Sequence, residues 1–251
     1  MPYFLDTVET IPSGVGFSQF GIVHFIWLSV AAFVILLNCA LYRKLSDRGR
    51  KIWKITVALL ILADELFKMS MLFIGRRYTF DYLPLHLCSI NIFIILIHAW
   101  KPSKLLNGFL YTICIPGALA ALLFPSWTAL PVGNFMHWHS FTVHILLVLY
   151  PVVLSVFGEL APSVKRLHKY FLLLVAMVVP IWLVNILLDT NFMFLMYVDE
   201  GNPLYLFEQL WGSHLLGFPV IIAGVLIVMY VPLIVFRIIR KKKYKNFGAN
   251  A

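Results

Sequence analysis

Charge is scarce in this chain: Asp, Glu, Lys and Arg make up 12% of its 251 residues, against roughly a quarter in soluble domains. With 61% hydrophobic residues and a mean hydropathy of +0.90, its surface would be largely Leu, Ile, Val and Phe. A bilayer accepts such a surface and water does not, which excludes a soluble globular fold. Cysteine is also sparse. Cys39, Cys88 and Cys114 all lie inside apolar runs, which excludes a secreted disulfide framework. Residues 1–19 contain no Lys or Arg, so the positive segment of a cleaved signal peptide is missing and the N-terminus is expected on the mature protein. No matched internal repeat and no long polar insert divides the chain, so 1–251 reads as a single domain. The net charge of +9 does not point to nucleic acid, because the basic residues are spread over short loops instead of forming one face.

What is present is a series of long apolar runs. A helix needs about 20 mostly apolar residues to cross a bilayer, and seven segments qualify: Phe20–Tyr42, Ile52–Ile74, Leu83–Trp100, Leu105–Phe124, Trp138–Gly158, Tyr170–Asp189 and Leu215–Phe236. The runs are continuous and not alternating, so they are helices and not barrel strands. The expected fold is all-α, a polytopic bundle of seven transmembrane helices. Every Lys and Arg except Lys68, Arg76 and Arg77 falls in alternate connections or in the tail Arg237–Lys245. Positively charged loops stay inside, so the N-terminus is expected outside and the C-terminus in the cytoplasm. Prolines 116, 151, 180, 219 and 232 fall within the spans, where each frees a carbonyl that a neighbour must satisfy.

This direction gives each intramembrane polar residue a depth. His24, Asp64, Glu65, Lys68, His86, Cys88, Asn91, His137, His139, His144, Asn185, Asp189 and His214 all fall towards the outer ends of their helices. Few polar residues, Asn38, Cys39, His98 and Asn107, fall in the inner half. Ionisable groups inside a membrane are costly and normally line a shared interior, so an outward-facing polar pocket is expected. The spacing of Glu65 and Asp64 to Lys68, i,i+3 and i,i+4, equally permits a local ion pair.

The most informative stretch is Tyr82-Leu-Pro-Leu-His-Leu-Cys-Ser-Ile90. Pro84 suits a first helical turn and Asp81 a capping position, which places Cys88 near a positive helix end that favours an anionic sulfur. Apolar burial opposes that, so a base is needed from another helix. His137, Ser140 and His144 share a helical face at i, i+3 and i+7. His144 is the first choice of base for Cys88 and His139 the second, with Glu65 or Asp64 orienting the ring. The bland readings are a small buried Cys88 and interhelical hydrogen bonds for His137 and His24. The His137, His139, His144 spacing weakly permits zinc; no metal and no cofactor is assigned.

The segments Glu65-Leu-Phe-Lys68, Leu83-Pro-Leu-His-Leu-Cys88 and Asn191-Phe-Met-Phe-Leu195 resemble the YwaF family of bacterial membrane proteins, related to vertebrate transmembrane protein 164. The vertebrate relatives are regarded as lipid acyltransferases using a cysteine of the third-helix region and a later histidine. The resemblance implies a multi-pass protein of the bacterial plasma membrane, Cys88 as nucleophile and His144 or His139 as its base. Asp64, Lys68, His86, Asn91, His137, Asn185, Asp189, Asn191 and His214 are expected to line the substrate pocket. An outward pocket has no access to acyl-CoA, so the expected substrates are membrane phospholipid or lysolipid, in transacylation or lipase action through a thioester. The alternatives are a non-catalytic lipid-binding or envelope-assembly protein, and a small-solute transporter.

Overall fold

The computed structural model describes residues 3–248, with side chains through 235. The basic tail Arg237–Lys245 therefore lies outside the described side chains. The helices are α1 Ile22–Tyr42, α2 Asp47–Ile74, α3 Leu87–Trp100, α4 Lys104–Phe109, α5 Ile115–Leu123, α6 Phe135–Val156, α7 Leu167–Leu188, α8 Tyr205–Trp211 and α9 Gly217–Gly248. A π-helical turn, Leu110–Cys114, joins α4 to α5 in one helical stretch, Lys104–Leu123. The described residues contain no strand. Six helical stretches are long and apolar enough to cross a membrane: Ile22–Tyr42, Phe80–Trp100, Lys104–Leu123, Phe135–Val156, Val164–Leu188 and His214–Val235. The charges of α2 keep it apart from these six, although it is 28 residues long.

The chain divides into two compact units, Met1–Tyr197 and Val198–Ala251. In the first, α6 is the central post, packed against α1, α2, α3 and α5. It is apolar on almost every side, as a helix enclosed by others must be. Its start is fixed by Asn134, whose side chain accepts from the amides of Met136 and His137. Gly158, at φ 74°, turns the chain out of its far end, a conformation open to glycine. Pro151 inside α6 cannot donate to Leu147 O, and the Cys114 thiol donates to that carbonyl at 3.5 Å. α2 buries the stripe Val57, Ala58, Ile61, Glu65, Lys68 and Leu72, spaced for one helical face, between α3 and α6. Where α4 meets α7, a Cβ on Gly108 would fall 1.8 Å from Tyr170 Cζ, so only glycine permits that approach.

The third span starts later than its apolar run suggests. Leu83, before Pro84, is extended at ψ 144°, as the residue preceding a proline is driven to be. It ends a 3-10 turn, Phe80–Tyr82, so Pro84 precedes the helix and does not open it. Asp81 bonds Thr79 Oγ1 at 3.1 Å, and the residue at the cap of α3 is His86.

Two polar knots tie the ends of this unit. At one, Glu159 accepts from Tyr42 Oη at 2.6 Å and Lys54 Nζ at 2.9 Å, with Arg50 at 3.5 Å. Asn107 Nδ2 donates to Glu159 O, and the His98 ring bridges Tyr150 Oη and Asn107 Oδ1. At the other, Asn134 Nδ2 donates to the carbonyls of Tyr3 and Asp6. Arg77 pairs with Asp6 at 3.1 Å, and Tyr82 Oη donates to Glu9.

The second unit contains α8, a 3-10 turn His214–Leu216 and α9. Gly212, at φ 71°, closes α8, and His214 Nδ1 lies 3.1 Å from Glu208 Oε2.

Candidate functional site

Because α3 opens at Leu87, Cys88 is its second residue, half-buried in the first turn. The first amide to find a helical acceptor is that of Ile90, on His86 O at 3.0 Å. His86 offers no side-chain cap, so the amides of Leu87, Cys88 and Ser89 are the orphan donors of a helix N-terminus. Glu65 and Lys68 are the charges close enough to act on Cys88.

Those charges belong to a buried quartet on α2 and α6. Lys68 Nζ donates to Glu65 Oε1 at 2.5 Å. His139 Nδ1 lies 3.1 Å from Asp64 Oδ2, and its Nε2 lies 3.7 Å from Glu65 Oε2. The first contact is at ion-pair distance but off the line of a hydrogen bond, which leaves both of its atoms without one. Both ring nitrogens of His139 therefore face carboxylates, and the acids orient this histidine and not His144.

His144 is held differently. Its Nδ1–H donates to Ser140 O at 2.6 Å, which assigns the proton to Nδ1 and leaves the Nε2 lone pair free, the tautomer a general base needs. Trp127 stacks on the ring at 5.1 Å and 14°. His86, His139 and Lys68 lie within electrostatic reach. Among the described residues no hydrogen bond joins Cys88 Sγ to either histidine.

His86 ties the cluster to the loop after α7. Its Nδ1 accepts from Met193 N at 3.3 Å, and its ring packs edge-on to Phe192. Asn185 holds the first part of that loop, donating to Phe192 O and accepting from Phe192 N and Thr190 Oγ1. Asn191 Oδ1 takes the amides of Met196 and Tyr197. Met193 and Phe194 are at φ 59° and 55°, a strained backbone for non-glycine residues that the two asparagines sustain. Asn185 and Asn191 thus shape the loop, and Asp189 is its exposed left-handed first residue.

The remaining expected residues have separate positions. His137 is fully buried, accepting from Trp27 Nε1 and donating to Leu130 O; His24 bridges Phe20 N and Leu122 O. His214 pairs with Glu208 in the second unit. Asn91 is 1% exposed, on the Cys88 face of α3, with Oδ1 unpartnered. His137, His139 and His144 each turn to a different partner, so they do not form a ligand set. Trp127 is the site residue that sequence reasoning missed: a tryptophan in a connection reads as membrane belt, and only the fold brings it over His144.

The three segments Glu65–Lys68, Leu83–Cys88 and Asn191–Leu195 thus meet at one place, through Lys68 near Cys88 and Met193 on His86. Comparison with curated proteins and with solved structures gives no match. The model of the TMEM164 family matches residues 19–230. With six helical stretches able to cross a bilayer, the chain is a multi-pass membrane protein, and it belongs to the TMEM164 family.

Proposed function

We propose that this protein is a cysteine-dependent acyltransferase or lipase acting on membrane glycerolipids from the outer leaflet of a bacterial plasma membrane. In this reading α2 is a seventh span whose charges point into the bundle, and the Glu159 end, rich in Lys and Arg, is cytoplasmic by the positive-inside rule. The site then lies in the outer half, away from acyl-CoA, and the acyl donor is a phospholipid ester already in the membrane.

The observation that carries the proposal is the free Nε2 of His144 in the same cluster as a half-buried Cys88 at an uncapped helix start. Cys88 Sγ gives its proton to His144 Nε2 and attacks the ester carbonyl. The leaving alcohol takes the proton back, and a lysolipid hydroxyl or water resolves the thioester. Bonds between nucleophile and base are often long before substrate binds, so their absence here does not oppose the pairing. His139, with one ring nitrogen facing Asp64 and the other facing Glu65, acts through the electrostatics of the cluster.

A phospholipid analogue with an activated ester tests this. Labelling at Cys88 is expected, lost in Cys88→Ala and reduced by about 10²-fold or more in His144→Ala, the scale of a lost general base. Equal labelling in wild type and His144→Ala removes His144 from the mechanism. Labelling confined to Cys39 or Cys114 overturns the proposal.

A further inference from the structure

Asn91 is a buried polar side chain with no structural task among the described residues. It is 1% exposed, and its Oδ1 is sealed from solvent without a partner. A buried amide left in this state is costly, and native proteins rarely tolerate one without use. Its neighbours in kind are committed: Asn134 caps α6, Asn185 holds the loop after α7 and Asn107 bridges to Glu159.

Its position suggests the use. α3 buries Asn91, Ile92, Ile95, His98 and Ala99, a stripe that Cys88 heads at i−3 from Asn91. Helical side chains lean towards the N-terminus of their helix, so the Asn91 amide lies beneath the turn that carries Cys88. The amide of Cys88, free of a helical acceptor, belongs to that same turn, and the Ser89 amide and hydroxyl are directed at the Cys88 sulfur.

We propose that Asn91 is a catalytic residue whose side-chain N–H, with the Cys88 amide in the first turn of α3, receives the carbonyl oxygen of the ester lipid as it becomes an oxyanion. This rests on the acyl-transfer reading and deepens it. The Sγ–C bond forms as the thiol proton passes to His144 Nε2, and the carbonyl π pair moves onto oxygen, where the Asn91 N–H stabilises it. Collapse restores C=O and breaks the ester C–O bond. The alcohol then leaves with the proton from His144, and Cys88 holds a thioester. Donors aimed at developing charge in a water-poor site are worth most where they need no reorganisation.

Two reagents on the full chain in lipid nanodiscs separate this role from a structural one. Iodoacetamide alkylates Cys88 by displacement at a tetrahedral carbon, with no oxyanion. A fatty-acid p-nitrophenyl ester acylates it through one and releases nitrophenolate. In Asn91→Ala and in Asn91→Leu, which refills the buried volume, acylation is expected to fall about 10²–10³-fold while alkylation stays within about twofold. Unchanged acylation overturns the proposal, as does an equal fall with both reagents, which would make Asn91 a support of α3 alone. A wild-type chain that is alkylated but never acylated instead overturns the acyl-transfer reading itself.

Discussion

Lys68 shows most plainly what a single side chain decides. Its ammonium and the Glu65 carboxylate are both nearly sealed, at 9% and 6% exposure, so neither can turn to water if the other is removed. Lys68→Met is expected to destabilise the protein by about 3–5 kcal/mol, the cost of an uncompensated buried charge. Glu65→Met/Lys68→Met should cost less than Lys68→Met alone, because the double variant removes both charges of the pair and leaves the His139 ring its contact with Asp64. Thermal unfolding in detergent gives both values, and a double variant as unstable as the sum of the singles would falsify this account of the pair. At this scale much was legible beforehand. A charge or an imidazole inside an apolar run advertises itself by its cost, and helical spacing predicts which faces carry Glu65, Lys68, Cys88 and the three histidines. Spacing cannot predict the rotation of α6 against its neighbours. The acids therefore turned out to orient His139, and His144 received its proton assignment from Ser140 O one turn back.

At the scale of elements, the loop after α7 matters more than its length suggests. It supplies the amide that His86 accepts, and its left-handed residues Met193 and Phe194 stay in place because Asn185 grips Phe192 at both its N–H and its carbonyl. Asn185→Ala removes both bonds and strands two buried backbone groups. It is expected to cost about 2–3 kcal/mol and to raise amide exchange across residues 189–197 ahead of the helices. Exchange that rises equally in α6 would show that Asn185 supports the bundle generally. The existence of the helices was readable from continuous apolar runs, but their starts were not always so. Pro84 suits the opening turn of a helix by sequence, whereas the restraint it places on Leu83 pushes the start of α3 past His86. The π turn Leu110–Cys114 and the Cys114 thiol on Leu147 O likewise depend on two helices meeting, which no single run encodes.

For the first unit as a whole, hydrophobic burial leaves the two ends to polar chemistry, and the Glu159 knot joins the end of α1, the start of α2 and the exit of α6 through one carboxylate. Glu159 lies just beyond α6. Burial alone would push its carboxyl up, but the Tyr42 hydroxyl, Lys54 and Arg50 hold it below the usual carboxylate range. A group depressed on folding contributes stability above its unfolded value and loses that contribution as pH falls through its folded one. With a quarter of the side chain open to solvent, screening keeps the contribution modest. Glu159→Gln is expected to lower stability by about 1 kcal/mol at neutral pH. The gap to wild type should hold down to the ordinary carboxylate range and close below it, as wild-type Glu159 takes up its own proton. The other acidic residues are common to both proteins, so the difference between the two pH profiles isolates Glu159. A gap that stays constant to strongly acid pH would mean that the knot is held by shape and hydrogen bonding, with no contribution from the charge.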